Sequence, residues 1–392
     1  MGQSGPKRRP VEKRGGSYQP TDRRIRAHQL ERQSSGKRLI LIFGATVLTI
    51  ISGLIILGWY VQYYSPPRVK AAVVNDVRFS QGDLVKRVRM IQASQDYRGQ
   101  AGTGFTDILR VLYNNDIDVS LGPFNLGMVQ MELLKQGAPD YGISVTEKDI
   151  DRAIKALFTP NIPDGQEITE DQLEREYLEN YHSYLNFNRI TEDDYRRLAE
   201  EQLYFYRMRE ALSVDIPETS EHMEVSWISM PTRPDPSWGD QEKFINVDVV
   251  EQRLQSENFE EVALEFAVAF RYADTNGYVG WVPKGAFPGL DLMMFGGPDV
   301  VPIPHNETSP PIMNSGVFYF VRVLDGPKDM ENSLQWMDRL KDVTLETWLN
   351  DRFEKGTAEG WVEVKYDSEI YAWASEQLWQ TAQQHRGDLE GG

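Results

Sequence analysis

The sequence predicts an α+β protein behind a single membrane-spanning helix, and three observations carry that expectation. Residues 39–64, LILIFGATVLTIISGLIILGWYVQYY, contain no charged side chain. Residues 76–215 repeat apolar positions at helical spacing behind N-capping residues. After Pro217 the chain turns to strands separated by short helices, a texture of mixed layers rather than of a bundle.

About 20 apolar residues suffice to cross the hydrocarbon of a bilayer. Trp59, Tyr60, Tyr63 and Tyr64 gather at the far end of the run, where amphipathic rings favour the interface. A cleaved signal peptide has a shorter apolar core and a small-x-small site; here Tyr-Tyr-Ser-Pro-Pro follows instead. Residues 1–38 hold eleven Lys and Arg against three acids, a head of +8, which leaves −25 for the rest of a chain whose total is −17. The positive-inside bias keeps that head cytoplasmic and sends everything after Ser65 outside. Poor in large apolar residues, the head reads as a disordered tail (1–38) and a topology signal, with no nucleic-acid partner. Cysteine is absent, which excludes disulfides, a thiol nucleophile and lipid attachment through Cys.

Three helix starts show as capping boxes, in which a Ser or Thr and an acid three residues later satisfy each other's backbone donors. Ser80 and Asp83 precede Leu84, Val85, Val88 and Ile91; Thr146 and Asp149 precede Ile150, Ala153, Ile154 and Leu157; Thr191 and Asp194 precede Tyr195, Leu198 and Phe205. A fourth helix is expected over Phe124–Gln136, ending near Gly137, with polar interruptions near 93–107 and 159–168. Beyond Pro217, MEVSWISM (223–230) reads as a strand apolar on both faces, and residues 247–270 as two helices meeting at Asn258. GLDLMMF (289–295) reads as a short helix and GVFYFVRVLD (316–325) as the strongest strand. A helix near 332–353, a strand within 361–367 and a last helix near 368–384 complete the chain.

Between the second helix and GLDLMMF lies DTNGYVGWVPKGAF (274–287). Glycines let the backbone take conformations closed to residues with a Cβ, and Val279 and Trp281 are placed to point inward from the strand that begins there. This order of elements resembles the parvulin family of peptidyl-prolyl isomerases, whose Gly-Gly-Asp-Leu-Gly-Trp/Phe turn stands here as Asn276-Gly277-Tyr278-Val279-Gly280-Trp281. Residues 69–88, 128–154 and 198–212 resemble, in order, successive parts of the N-terminal domain of SurA/PrsA-type exported chaperones. The resemblance covers about 69–327 and implies a helical chaperone domain (65–221) and a parvulin-like domain (222–327). Residues 328–392 form a C-terminal helical segment expected to pack on the chaperone domain.

An isomerase breaks no bond. The barrier to amide rotation is about 18–20 kcal/mol, and a dry apolar pocket favours the twisted amide over the charge-separated planar one. By resemblance the apolar floor carries over to Phe287, Leu290, Met294 and Phe295, with Trp281 in the turn. The polar set departs from the family: its two core histidines fall at Trp227 and at Tyr319 or Phe318. Its Cys/Asp position falls near Ala269–Phe270, with Asp274 the nearby acid. Trp227, Asp274 and Tyr319 are therefore the candidates for the catalytic positions. His222 and His305 are too far in register or in an ordinary loop, no histidine pair has metal-ligand spacing, and no cofactor is implied. Arg233 and Lys243 lie amid acids, which disfavours phosphopeptides. Tyr177, Tyr181 and Tyr184, with Tyr204, Phe205 and Tyr206, are either core or an adaptable surface for unfolded segments.

The resemblance implies a folding factor in the cytoplasmic membrane of a bacterium, N-terminus cytoplasmic, that binds unfolded or nascent exported polypeptides and isomerises X-Pro bonds. Two other readings stay open: a non-catalytic chaperone with a degenerate parvulin domain, and an assembly subunit of one membrane protein complex.

Overall fold

The computed structural model describes residues 42–93, 104–162, 168–231, 247–266, 272–274, 276–314 and 316–390. The basic head, Arg233, Lys243 and Ala269–Phe270 lie outside the described residues. The chain divides into two compact units, Met1–Pro66 and Pro67–Gly392. In the first, α1 (Ile42–Tyr64) is 23 residues long, apolar and exposed throughout, long and apolar enough to cross a membrane. At 1.5 Å per residue it reaches about 34 Å. Its last turn, Tyr60–Tyr64, widens to a π-helix.

The second unit starts with a hairpin, β1 (Lys70–Val74) and β2 (Val77–Ser80). Asn75 takes the turn with φ +51°, a conformation Asn tolerates better than most residues. Helices α2 (Gln81–Ala93), α3 (Phe105–Leu112), α4 (Met128–Gly137), α5 (Glu147–Phe158), α6 (Glu170–Asn188) and α7 (Glu192–Leu212) follow. The capping residues do what their spacing predicts: Asp83 accepts from Ser80 N–H at 2.9 Å and Asp149 from Thr146 N–H at 3.0 Å. Thr191 accepts from the Asp194 N–H at 3.3 Å. A further box stands at α6, where Gln172 accepts from Thr169 N–H at 3.2 Å. The fourth expected helix starts later than Phe124. Pro123–Asn125 forms a 3-10 turn, and Gln130 caps the Gly127 N–H at 3.1 Å, so α4 begins at Met128.

Strand β3 (Thr219–Pro231) opens an antiparallel sheet of order β4-β3-β6-β5, with β4 (Tyr278–Pro283), β5 (Ile312–Asn314) and β6 (Val317–Glu331). Helices α8 (Val247–Leu254), α9 (Phe259–Phe266) and α10 (Pro288–Phe295) belong to it. Period-2 alternation splits β3 and β6 between two cores. Ile228, Met230 and Phe320 pack with Val250, Phe259 and Val262 of α8 and α9. Met223, Val225, Trp227, Val321 and Val323 face the other way, onto Leu290 and Met294 of α10. A strand apolar on both faces has helices on both faces.

The chain then returns through α11 (Leu334–Glu359), β7 (Val362–Val364) and α12 (Ser368–Glu390). β7 pairs antiparallel with β1, Ala72 opposite Val364, closing a sheet of order β2-β1-β7 from the two ends of the unit. One core takes in Leu84 and Val88 of α2, Leu133 of α4, Phe205 and Met208 of α7, Leu345 and Leu349 of α11, and Ile370 of α12. Helix α11 belongs to two cores, because its first turns place Trp336 and Leu340 in the sheet domain. An α+β body with a mainly helical module and an antiparallel sheet domain is thus the architecture.

Candidate functional site

The sheet face that carries Trp227 ends in a cavity of about 530 Å³. Register explains its aromatic wall. Trp227 stands opposite Val321 and Ser229 opposite Tyr319, so Trp227 and Tyr319 share a face as diagonal neighbours, within reach of large rings. Their centroids lie 5.6 Å apart, nearly perpendicular. Phe287, which precedes α10, meets Trp227 edge-to-face at 5.0 Å, and Tyr272 meets Phe287 at 5.4 Å.

The opposite wall comes from the helical module. Asn114, its Nδ2 donating to Asn125 O at 2.7 Å, and Asp118, capping Ser120 N–H at 3.0 Å, hold residues 114–125 as a hydrogen-bonded rim that lines the cavity. From α11, Arg339 donates through Nε to Ala286 O at 3.0 Å and pairs with Glu346 at 3.1 Å. Its guanidinium sits over the Phe287 ring at 5.3 Å. Glu346 also accepts from Val119 N–H at 3.1 Å. Both side chains are mostly buried, at 13% and 15% exposed. Burial opposes the Arg339 charge but Glu346 outweighs it, so the guanidinium pKa is raised; burial pushes the Glu346 carboxyl up as well. Burial likewise pushes the Tyr319 phenol up to about 12, keeping it neutral at physiological pH.

Of the residues singled out in the sequence, Trp227, Tyr319 and Phe287 line the cavity together. Leu290 and Met294 are fully buried behind them as packing. Phe295 lies under Lys284 at 5.6 Å, away from the lining. Asp274 closes the turn instead, its carboxylate accepting from the Asn276 and Tyr278 N–H groups at 2.9 Å each. Trp281 does not point inward: a bulge between Val225 and Ser226 leaves Val279 unpaired and reverses the parity. Gly280 and Val282 take the buried side, and Trp281 lies under Lys328 at 4.4 Å. The glycine at 277 is required by space, since it has φ +82° and a Cβ there would stand 2.7 Å from the Trp227 carbonyl. Neither histidine enters: His222 is buried with Nδ1 2.8 Å from Ser220 O, and His305 Nε2 lies 3.0 Å from Gly326 O. Sequence reasoning missed Tyr272, Arg339, Glu346 and the 114–125 rim. They come from three separate stretches of chain, and no local pattern marks residues that meet only through folding. Among the described residues no His/Cys/Asp/Glu group could hold a metal ion.

Of the α6 tyrosines, Tyr181 is core and Tyr177 and Tyr184 pack against it partly buried, whereas Tyr206 of α7 is exposed. Tyr181 packs within 5.2–5.6 Å of Phe158 and Tyr195 and is 3% exposed, and Phe205 is 2% exposed. A second concavity of about 330 Å³ opens in the helical module instead, lined by Phe79, Met90, Met128, Met131 and Tyr204 with paired charges around them.

The second unit is thus a helical module joined through one long helix to an antiparallel sheet domain, with an aromatic cavity between them. Residues 30–209, just under half of the chain, match the family model described as the SurA-like N-terminal domain. That match bears out the SurA-type resemblance read from residues 69–88, 128–154 and 198–212. No curated protein matches. Similar solved structures include the peptidylprolyl isomerase PrsA of Bacillus anthracis, at 12% identity, covering 65% of this chain and 95% of that one with a TM-score of 0.33. PrsA of Bacillus subtilis is similar at 15% identity, 81% and 93% coverage and a TM-score of 0.21. A SurA-like chaperone of Campylobacter jejuni is similar at 11% identity, 58% and 97% coverage and a TM-score of 0.21.

Proposed function

We propose that the protein is a membrane-anchored extracytoplasmic folding factor, with α1 spanning the cytoplasmic membrane of a bacterium and the second unit outside. The Met-lined groove of the helical module holds apolar segments of unfolded exported chains, and the aromatic cavity takes proline-containing segments. The observation that carries this is the cavity: a prolyl ring fits a wall of edge-to-face rings, while polar groups of a second module face the peptide. Aggregation of an unfolded exported substrate, followed by light scattering with the full chain in detergent micelles, tests the chaperone part. Suppression at near-stoichiometric ratios is expected, and none would sink the reading.

Whether the cavity also accelerates isomerisation is a separate question. X-Pro isomerisation takes tens to hundreds of seconds uncatalysed, so a proline-limited refolding assay resolves it. The second reading, binding without catalysis, is favoured by Trp227 and Tyr319, which fill with large rings the positions where the resembling family carries histidines. Under it, refolding yield rises and the slow phase keeps its rate.

A further inference from the structure

Resting on the reading that the cavity takes prolyl segments, we propose that the Trp227 indole Nε1–H is its hydrogen-bond donor to a peptide carbonyl, so that the site recognises the X-Pro amide as a neutral acceptor. Trp227 lines the cavity and is 1% exposed, yet Nε1 has no hydrogen-bond partner among the described residues. A buried indole N–H usually finds one. It is a donor only, so whatever completes it must bring an acceptor.

The charges choose which acceptor. Arg339 is engaged by Glu346 and by Ala286 O, so the one deeply placed cation is already neutralised. Asp116, Asp118 and Glu346 outnumber Arg110 and Arg339 in the lining; an anionic ligand meets net negative charge, whereas a neutral amide does not. The X-Pro amide is tertiary and has a carbonyl oxygen but no N–H, so it can complete a donor without bringing one of its own. About 530 Å³ lies within the range of ordinary small-ligand sites and accommodates a short segment.

A chemical consequence follows. Amide resonance places negative charge on oxygen in the planar form and loses it on twisting, so a donor at that oxygen stabilises the planar ground state more than the twisted transition state. A donor at the prolyl nitrogen would do the opposite. Trp227 therefore tightens binding and does not lower the rotational barrier.

The test uses the full chain in detergent micelles with isotope-labelled indole nitrogens, titrated with acetyl-Ala-Ala-Pro-Ala-amide and with its alkene isostere, in which the carbonyl before proline is removed. The Trp227 signal is identified by its loss in W227F, which keeps an aromatic ring in place. The expected results are a downfield shift of that signal with the peptide and about tenfold weaker binding of the isostere. W227F should bind the parent peptide about tenfold more weakly and no longer discriminate between the two. A peptide that binds without moving the Trp227 signal, or an isostere that binds the unaltered protein equally well, overturns the inference; aggregation suppression surviving in that case leaves the folding-factor reading standing. Loss of both peptide binding and aggregation suppression sinks the two together. Because the isostere is measured on the unaltered chain, a folding defect in W227F does not decide the outcome.

Discussion

The groove beside α2 and the cavity beside β3 are both large enough for a peptide segment, but their linings behave differently. The groove places three methionines among charges, three of whose cations are paired: Lys86 with Asp194 at 2.6 Å, Arg87 with Glu201 at 2.7 Å and Lys135 with Glu200 at 2.8 Å. Met side chains repack easily around irregular guests, and the long lysines, 52% and 45% exposed, can swing aside. The cavity is set by rings locked edge-to-face and by one buried ion pair. One lining can shift around its contents and the other is fixed by its packing. The folding factor proposed above, holding any unfolded chain yet responding to particular residues in it, would have use for both.

The largest expected effect strikes the rigid side. Gly277→Val forces a β-branched residue to φ +82° and brings Cβ against the Trp227 carbonyl, so the strand behind the aromatic wall must move. Chemical denaturation should show a loss of about 3–4 kcal/mol. A variant as stable as the parent would mean that the turn is not held as described.

Arg339→Met comes next. It leaves Glu346 buried without its cation, a change that costs about 3 kcal/mol for well-buried pairs. The double variant with Glu346→Gln should recover most of it. Failure to recover would show that Arg339 acts through its packing on Phe287 rather than through charge.

Asp291, beside the cavity's packing layer, makes the comparison sensitive to pH. Burial pushes its carboxyl up to about 6, the Gly285 N–H at 2.8 Å offsetting only part. A carboxyl raised in the folded state stabilises below its unfolded pKa near 4 and loses that contribution as pH rises through about 6. Asp291→Asn should therefore be near neutral at pH 4 and raise stability at pH 8 by about 2 kcal/mol. Equal melting shifts at both pH values would count against the buried carboxyl.

The smallest effect belongs to the adaptable side. Lys135→Ala, at a half-exposed pair, should change stability by less than about 1 kcal/mol. A loss comparable to that of Arg339→Met would erase the contrast between the two surfaces.

Much of the architecture can be read without coordinates, for a physical reason. Capping boxes, helical apolar spacing and a two-faced apolar strand are local signals, satisfied within a few residues. That is why α2, α5 and α7 start at the Ser and Thr residues that mark them. The box at Thr169 was equally visible in the sequence. The Trp281 expectation failed on a bulge at Val279, since one unpaired residue reverses which side chains face inward and nothing local announces it.

What the residue order determined by itself was the uncharged span, the absence of thiol chemistry, the α+β alternation and the presence of Trp227, Phe287 and Tyr319 on elements of one sheet domain. Only the tertiary structure decided that those three rings meet at a cavity, that Leu290 and Met294 serve as packing behind them, and that Asp274 closes a turn. It also decided that the polar wall comes from residues 114–125 and from α11, which reaches both cores. The reason lies in range: periodicity reports on neighbours within a turn or a strand pair, whereas a ligand site is made where segments hundreds of residues apart are forced together by the burial of everything between them.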